Sequence, residues 1–476
     1  MIRRIPLVLA LCCAFLAQAQ ERYGLLNSNY AGTDGVPMNP AHMADQWCWM
    51  DINLIGADLF IRNDHVSVSS SSRTVLGEMR ATIRSDQGTG FVFTESLREG
   101  GRRAFTNVRV VGPAIALNLG RNAIGASVNS RVNLSLTGID RPLARFAYNG
   151  LGFSPQWRTR YHDENIRLSS AAWTEFNLSY SRMLVAEDHS LLSIGATAKY
   201  LLGHGGMSLG FDVLDYTVVD SARAQIHEAS GHYGLAMPAI NAGRGLGLDL
   251  GLMFTRTLEQ ADGYVPHQVC EPLPYDWRLG ASLIDLGGIR FRDALAGTFS
   301  ASRSFFPDYT AIQLADEQAA DSLLSASLST FERGGDFSVG LPTAMAVQFD
   351  KRVMDHVYVA ANWVQSLSFP STSRLRRPNT LAIVPRAEWR RFEAAIPVVV
   401  HEYAIMRPSV GVMLRLNNII IGSDDVLPLI SRRGMFGTDL YFRVKWTIFK
   451  GPRCRGGNKP SRGVGGRTSL PCMLPR

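Results

Sequence analysis

Apolar and polar residues alternate with a period of two from Ile124 to Leu136. Ile124, Ala126, Val128, Val132, Leu134 and Leu136 hold one face; Gly125, Ser127, Asn129, Arg131, Asn133 and Ser135 hold the other. Such a period means a strand with one apolar and one wet face. The segment before it sets Ile115, Leu117 and Leu119 against Ala114, Ala116 and Asn118, and Gly120-Arg121-Asn122 joins the two as a hairpin loop. These strands exceed the usual soluble length of about 5–6 residues. They reach the roughly 9–11 that a tilted strand needs to cross a bilayer. A full charge, Arg131, sits in mid-strand on the polar face, which suits a polar barrel interior.

The unit repeats. Phe176, Leu178 and Tyr180 alternate with Asn177, Ser179 and Ser181; Glu187-Asp188-His189 turns; Leu192, Ile194, Ala196, Ala198 and Tyr200 follow against Ser193, Gly195, Thr197 and Lys199. Leu246, Leu248, Leu250, Leu252 and Phe254 face Gly247, Asp249, Gly251 and Thr255, and Val410, Val412, Leu414 and Leu416 face Gly411, Arg415 and Asn417. The last strand sets Leu440, Phe442, Val444, Trp446 and Ile448 against Asp439, Arg443, Lys445 and Thr447, with Phe449 closing it. Trp47–Asn63 reads as the first strand, its tryptophans suiting an interfacial belt. With 274–287, 289–303, 337–351, 355–369 and 379–396 the total reaches about 14 strands. The expected fold is therefore all-β: one transmembrane antiparallel barrel over 47–450, whose first and last strands pair to close it. Leu134 and Leu250 should face lipid. Ser135 and Gly251 should face inward and tolerate Ser135→Arg and Gly251→Ser.

Other segments break the pattern. Met1–Ala19 has Arg3 and Arg4, an apolar run and Ala17-Gln18-Ala19, the layout of a secretory signal peptide. Residues 20–46 are an irregular lead, rich in Gly, Pro, Asn and Asp, that could tuck into the barrel mouth. Residues 64–105 are polar and resist division, and 139–170 reads as a long polar loop. Ile312, Ala315, Ala319, Leu323, Ala326 and Phe331 recur at helical spacing, predicting a short amphipathic helix within Tyr309–Phe331. Residues 451–476 read as a disordered basic tail on the periplasmic side.

Composition adds little. The net charge is +8, but the signal peptide carries two of the bases and the tail six, neither with an acid. The body is near neutral, which removes the case for a nucleic-acid partner. Cys12 and Cys13 leave with the signal peptide. Cys48, Cys270, Cys454 and Cys472 fit no metal spacing; Cys454 and Cys472 could pair in an oxidising periplasm.

The enzyme alternative rests on Gly206-Met207-Ser208-Leu209-Gly210, a G-x-S-x-G sequence near His204. That motif works on a strand-to-helix turn. No helix follows here, so a Gly-rich hairpin loop is the simpler reading and an outer-membrane serine hydrolase the remote one. No His-Glu-x-x-His or phosphate-binding loop is present, and no metal or other cofactor is implied. The mid-strand charges Arg131, Lys199, Asp249, Arg415, Arg443 and Lys445 are the candidates for lining the lumen.

Several stretches carry a resemblance. Gly32, Asn39-Pro40-Ala41, Asp51-Ile52-Asn53-Leu54-Ile55-Gly56 and Gly280-Ala281-Ser282-Leu283-Ile284-Asp285-Leu286-Gly287 resemble an uncharacterised family of Bacteroidota outer-membrane barrels. Pro385-Arg386-Ala387-Glu388, Ile421-Gly422-Ser423-Asp424 and Gly437-Thr438-Asp439-Leu440-Tyr441 extend it over roughly 23–450. The Asn-Pro-Ala lead and the Ser-Leu-Ile-Asp-Leu-Gly stretch are also similar to fatty-acid-transporter-like barrels, including the barrel component of the type IX secretion system. The resemblance implies an outer-membrane location and brings no catalytic residue; the basic tail departs from it. The expected function is binding or passage of a small solute, apolar ones included, with outer-membrane lipid around the barrel. The rival is a structural or secretion-assembly barrel acting through periplasmic or secretion protein partners.

Overall fold

Outward apolar and inward polar side chains alternate along nearly every strand, and they curl the chain into a closed antiparallel barrel. The computed structural model describes residues 22–452 except 71–72, 85–89, 97–99, 269–271, 302–329, 368–372, 405–406 and 431–433. The first hairpins are β1 (Met50–Asn63), β2 (Val66–Ser70), β3 (Phe91–Glu95), β4 (Arg102–Asn118) and β5 (Asn122–Ile139). Then follow β6 (Arg160–Glu187), β7 (Ser190–Val218), β8 (Ala224–Ala236), β9 (Gly243–Thr257), β10 (Tyr275–Phe291), β11 (Leu295–Ala301) and β12 (Thr330–Gly334). The remainder are β13 (Phe337–Gly340), β14 (Ala344–Met354), β15 (Val357–Ser366), β16 (Thr380–Glu388), β17 (Phe392–Ala395) and β18 (Val398–His401). Last come β19 (Ser409–Val410), β20 (Val412–Leu416), β21 (Ile419–Ser423) and β22 (Gly437–Ile448).

The ring runs β1, β4, β5, β6, β7, β9, β10, β13 with β14, β15, β16, β17 with β18, β19 with β20, β21 and β22, and it closes on β1. That makes 14 staves. Closure pairs Met50 with Ile448 and Ile52 with Trp446, so the first and last strands meet as expected. The sequence placed the start of β1 three residues early, at Trp47.

Facing follows the alternation. Leu178, Leu246 and Leu250 are 68, 70 and 43 % exposed on the outer surface, while Asp249 and Glu175 are buried within. No helix among the described residues is long and apolar enough to cross a membrane, which leaves strand crossing open. Short turns such as Asp188-His189, Asp355-His356 and Asn417-Asn418 lie at the end where β1 begins; longer connections lie at the other end. This is the turn asymmetry of outer-membrane barrels.

Two sequence expectations need correction. The polar loop assigned to 139–170 ends at 159: the helix Arg141–Asn149 occupies its first part, and β6 begins at Arg160. The reason is length. β6 and β7 have 28 and 29 residues, so their distal halves run beyond a bilayer's thickness and need no lipid-facing alternation. There Phe146, Ile166, Tyr216, Val218, Tyr233 and Phe299 pack together, with the Arg141–Asn149 helix over them. The strand expected at 289–303 is also absent as one element. Ile289–Phe291 finish β10, whereas β11 pairs with β8 and β12 in a flap outside the ring. The segment left undivided at 64–105 forms the β2–β3 hairpin and the helix Val75–Arg84. The helix expected within Tyr309–Phe331, the signal peptide, Cys270 and the tail from 453 lie outside the described residues.

Candidate functional site

The lead fills the bore. Residues 22–46 turn through Tyr23–Leu26, Gly32–Asp34 and Pro40–Asp45, and nearly all are buried. Asn39 opens the last of these turns by accepting from Ala41 N, with Pro40 at the first turn position. At the end distal to the short turns, Tyr23 N donates to Asp424 Oδ2 at 2.7 Å and the Tyr23 hydroxyl meets Thr380. Midway, Asn27 Nδ2 donates to Asn362 at 2.9 Å, and beside the short turn between β16 and β17 Ser28 Oγ donates to Glu393 and Asn29 Nδ2 to Glu388, at 2.8 and 2.9 Å. Toward the short turns, Ser181 and Asn118 side chains donate to the carbonyls of Ala41 and Ala44. Tyr23, Leu25, Leu26 and Met38 add apolar contact with Ala344, Ala360, Ala382 and Met413 of the wall. Two cavities between plug and wall hold about 30 and 20 Å³.

The six mid-strand charges Arg131, Lys199, Asp249, Arg415, Arg443 and Lys445 are all buried, and their ion pairs group them into three clusters. Arg131, Lys199 and Asp249 meet at Asp285. Arg131 donates through both terminal nitrogens to the two Asp285 oxygens at 3.1 Å each. Lys199 Nζ lies 2.6 Å from Asp285 and 2.8 Å from Asp249; Arg377 lies 2.7 Å from Asp285. Arg443 and Lys445 belong to a second cluster. Arg443 pairs with Asp34 at 2.8 Å and Asp58 at 2.6 Å, and Lys445 with Asp34 at 3.1 Å and Asp51 at 2.8 Å. Arg415 holds Glu393 at 2.8 Å in a third, where Arg386 also pairs with Asp350. Two clusters include the plug: Arg22 reaches Asp58 at 3.0 Å, and Arg278 donates to Asn29 Oδ1 at 2.7 Å.

The plug's own titrating groups record this setting. Burial alone would raise the Asp34 carboxyl, but Lys445, Arg443 and Arg22 outweigh it and hold the group far below the ordinary range. Burial pushes His42 down to about 3, with Arg278 adding to the effect, and neither ring nitrogen has a hydrogen-bond partner among the described residues. Asp45 is raised by burial against the pull of Arg278 and Thr255.

Asp285, Glu175, Arg377, Asp34, Asp51 and Asp58 escaped the sequence reading as site residues. For Asp285 a signal existed. Leu279, Ala281 and Leu283 face out, so residue 285 is in phase with the lipid face. A bulge, with the Asp285 backbone at φ 54° and Gly287 at 129°, turns it inward instead. Opposite the bulge, Leu341-Pro342-Thr343 separates β13 from β14, and Thr343 Oγ1 donates to Asp285 O at 2.7 Å.

The G-x-S-x-G serine is neither on an elbow nor in a hairpin loop; Gly206–Gly210 lies inside β7. Ser208 Oγ donates to Ser373 at 2.8 Å, and His204 Nε2 pairs with Thr174. Four strand residues separate Ser208 from His204, roughly 13 Å, too far for proton transfer. No group of His, Cys, Asp and Glu that could hold a metal occurs among the described residues.

The inward Gly251 is tighter than expected. A Cβ there would strike the Asn39 side chain and come within 2.9 Å of Pro40 Cδ. Ser135 accepts Arg376 N–H at 3.0 Å and is also enclosed. The expectation that Gly251→Ser and Ser135→Arg are mild assumed an empty bore, and the bore is filled.

Residues 40–424 match a family of unknown function, DUF5723. No curated protein matches. Among solved structures, the P. putida toluene transporter TodX aligns at 9 % identity over 89 % of this chain and 97 % of its own, with TM-score 0.40. The CymD monoaromatic hydrocarbon channel gives 8 % identity, coverage of 90 % and 96 %, and TM-score 0.30. A Pseudomonas aeruginosa FadL homologue gives 10 % identity, coverage of 91 % and 98 %, and TM-score 0.23.

Proposed function

We propose that this chain, which belongs to DUF5723, a family of unknown function, is an outer-membrane barrel that binds or passes a small solute and is held shut by its own residues 22–46. The observation that carries the reading is the contact between that segment and the wall. It joins separable parts through ion pairs and hydrogen bonds, as at Arg22–Asp58, Ser28–Glu393 and Lys445–Asp34. Polar contacts of this kind can be exchanged for water, so relative motion is the default expectation. A barrel serving only as scaffold would gain more from an apolar filling, because buried ion pairs add little net stability.

The bore is charged, so an apolar solute is better served at the wall. A recess of about 470 Å³ opens where β10, β11 and β13 diverge; Tyr233, Phe337 and Ala296 give it apolar surface, and His232, Asp336 and Arg374 give it a polar rim. Fractionation with a heat-modifiability gel tests the location. Planar-bilayer conductance tests the plug: deleting 22–46 is expected to turn a silent barrel into a conducting one. Equal conductance with and without the segment would refute the closed-pore reading.

A partner role has one observation of its own. Leu76, Phe93 and Ile430 are 51, 53 and 56 % exposed on the cap formed by β2, β3 and the nearby helices. Co-purification from intact envelopes, with Phe93→Ser as the comparison, separates this reading from the first.

A further inference from the structure

Above the plug, at the end with the long connections, lies a cavity of about 290 Å³. Its lining brings together the far ends of β1, β4 and β18 and the loop before β22. Four arginines, Arg62, Arg102, Arg103 and Arg407, line it with two carboxylates, Asp64 and Glu402; Arg102 is engaged, donating to the carbonyls of Asp64 and Ser96. The carboxylates are already engaged. Glu402 is shared by Arg103 and by Arg376, the latter at 3.0 Å, and Asp64 Oδ1 accepts the Arg103 backbone N–H at 2.8 Å. Arg62 donates to Ser409 Oγ at 3.0 Å, and its nearest carboxylate, Asp425, is 3.7 Å away. Arg407 sits over the Phe436 ring at 4.3 Å and reaches Ser96 Oγ at 3.4 Å; no carboxylate pairs with it among the described residues. His401 lines the same cavity, is 6 % exposed, and its Nδ1 has no hydrogen-bond partner among the described residues.

A buried polar atom without a partner calls for one. A cavity with surplus guanidinium groups and an unpartnered imidazole nitrogen would supply it from an anion. Arginine's planar donors match carboxylate and phosphate oxygens in pairs. At ~30 Å³ for each water-sized group, the space holds about ten non-hydrogen atoms. We propose that this cup binds a small dianion, a phosphate monoester or dicarboxylate of about that size, between Arg62, Arg407 and His401. The site is separate from the wall recess beside Tyr233 and Phe337 and does not require passage through the barrel.

The test is calorimetric titration of the purified full-length barrel in neutral detergent with glycerol phosphate, succinate and glycerol. Glycerol phosphate or succinate should bind, glycerol should not, and affinity should fall as salt rises. Arg407→Gln and Arg62→Gln should each weaken binding by about tenfold or more. Arg223→Gln, on the exposed turn after β7, should leave it unchanged. Heat-modifiability shows that each variant is folded, and Arg407 lies on a loop outside the strands. Glycerol binding as tightly as the anions, no binding of either anion, or full affinity in folded Arg407→Gln would each overturn the proposal. Failure here would leave the conductance result of the plug deletion standing, since titration reads no flux.

Discussion

Arg131 and Asp285 form a two-pronged ion pair inside the barrel, both bonds 3.1 Å long, across 154 residues of sequence. Asp285 also receives Lys199 and Arg377, so one carboxylate gathers three cations. Asp285→Asn removes the charge that the three cations share and leaves Glu175, beside Arg131, and Asp249, beside Lys199, against them. Breaking a buried pair by removing one partner costs about 3–5 kcal/mol. The temperature at which the barrel loses its compact gel mobility should fall accordingly. Adding Arg377→Met should recover part of the loss, because one unmatched cation is gone. An Asp285→Asn barrel as heat-resistant as the parent would show that the cluster does not depend on this residue.

Facing supplies a second test. Leu250→Arg puts a charge on the outer surface and should cost about 2–4 kcal/mol near the bilayer midplane. Gly251→Ser, one residue on, should also harm the full chain, through the collision with Asn39 and Pro40. In a chain lacking 22–46 those atoms are gone, and the serine should become nearly neutral while the arginine stays harmful. Folding yield in both backgrounds reads the difference. If Gly251→Ser is equally harmful without the segment, its clash lies with the wall.

What the sequence disclosed followed from physics that acts locally. A wall with an apolar surround and a polar interior must alternate, so β5, β7, β9 and β22 were legible along with the inward charges Arg131, Asp249 and Arg443. The closing pair of strands followed from the cost of an open edge. The lead's place at the barrel mouth was legible from its irregular composition, but its depth and partners were not, because its bonds are nonlocal: Tyr23 finds Asp424, 401 positions on, and Arg22 finds Asp58. The inward turn of Asp285 was hidden for another reason. A bulge reverses phase, and the reversal showed only as one charge on the lipid side of the count. The distal halves of β6 and β7 lost their signature where the apolar surround ends.

Acid should loosen the plug through His42. Its folded value, about 3, lies below the ordinary 6.5 because burial disfavours the charged ring. The unfolded chain therefore binds the proton first. Stability is fully present above about 6.5 and is lost as pH falls toward 3, at about 1.4 kcal/mol per pH unit. Asp45, raised by burial, acts in the opposite sense over its own lower range. The parent's heat-modifiability midpoint should drop between pH 7 and pH 5, and His42→Leu should flatten that drop. Parallel curves for the two proteins would place the acid sensitivity elsewhere.

Truncation tests where the fold ends. The β1–β22 pairing reaches Ile448. β22 pairs with β1 through Met50–Ile448, Phe449 meets Tyr30 edge-on at 5.7 Å, and Arg390 lies 4.6 Å over the same ring. Gly451 packs against Trp49, a Cβ there falling 2.9 Å from the indole, so the residue after Lys450 still touches the start of the barrel. Residues 453–476 carry six bases, no acid and no apolar periodicity, so they offer little surface to bury. Deleting 453–476 should leave membrane insertion and heat resistance intact. Deleting from Val444 should abolish both, because it removes Lys445 and opens the β1 edge to lipid. Loss of insertion in the shorter deletion would mean that the basic segment is needed to complete the barrel.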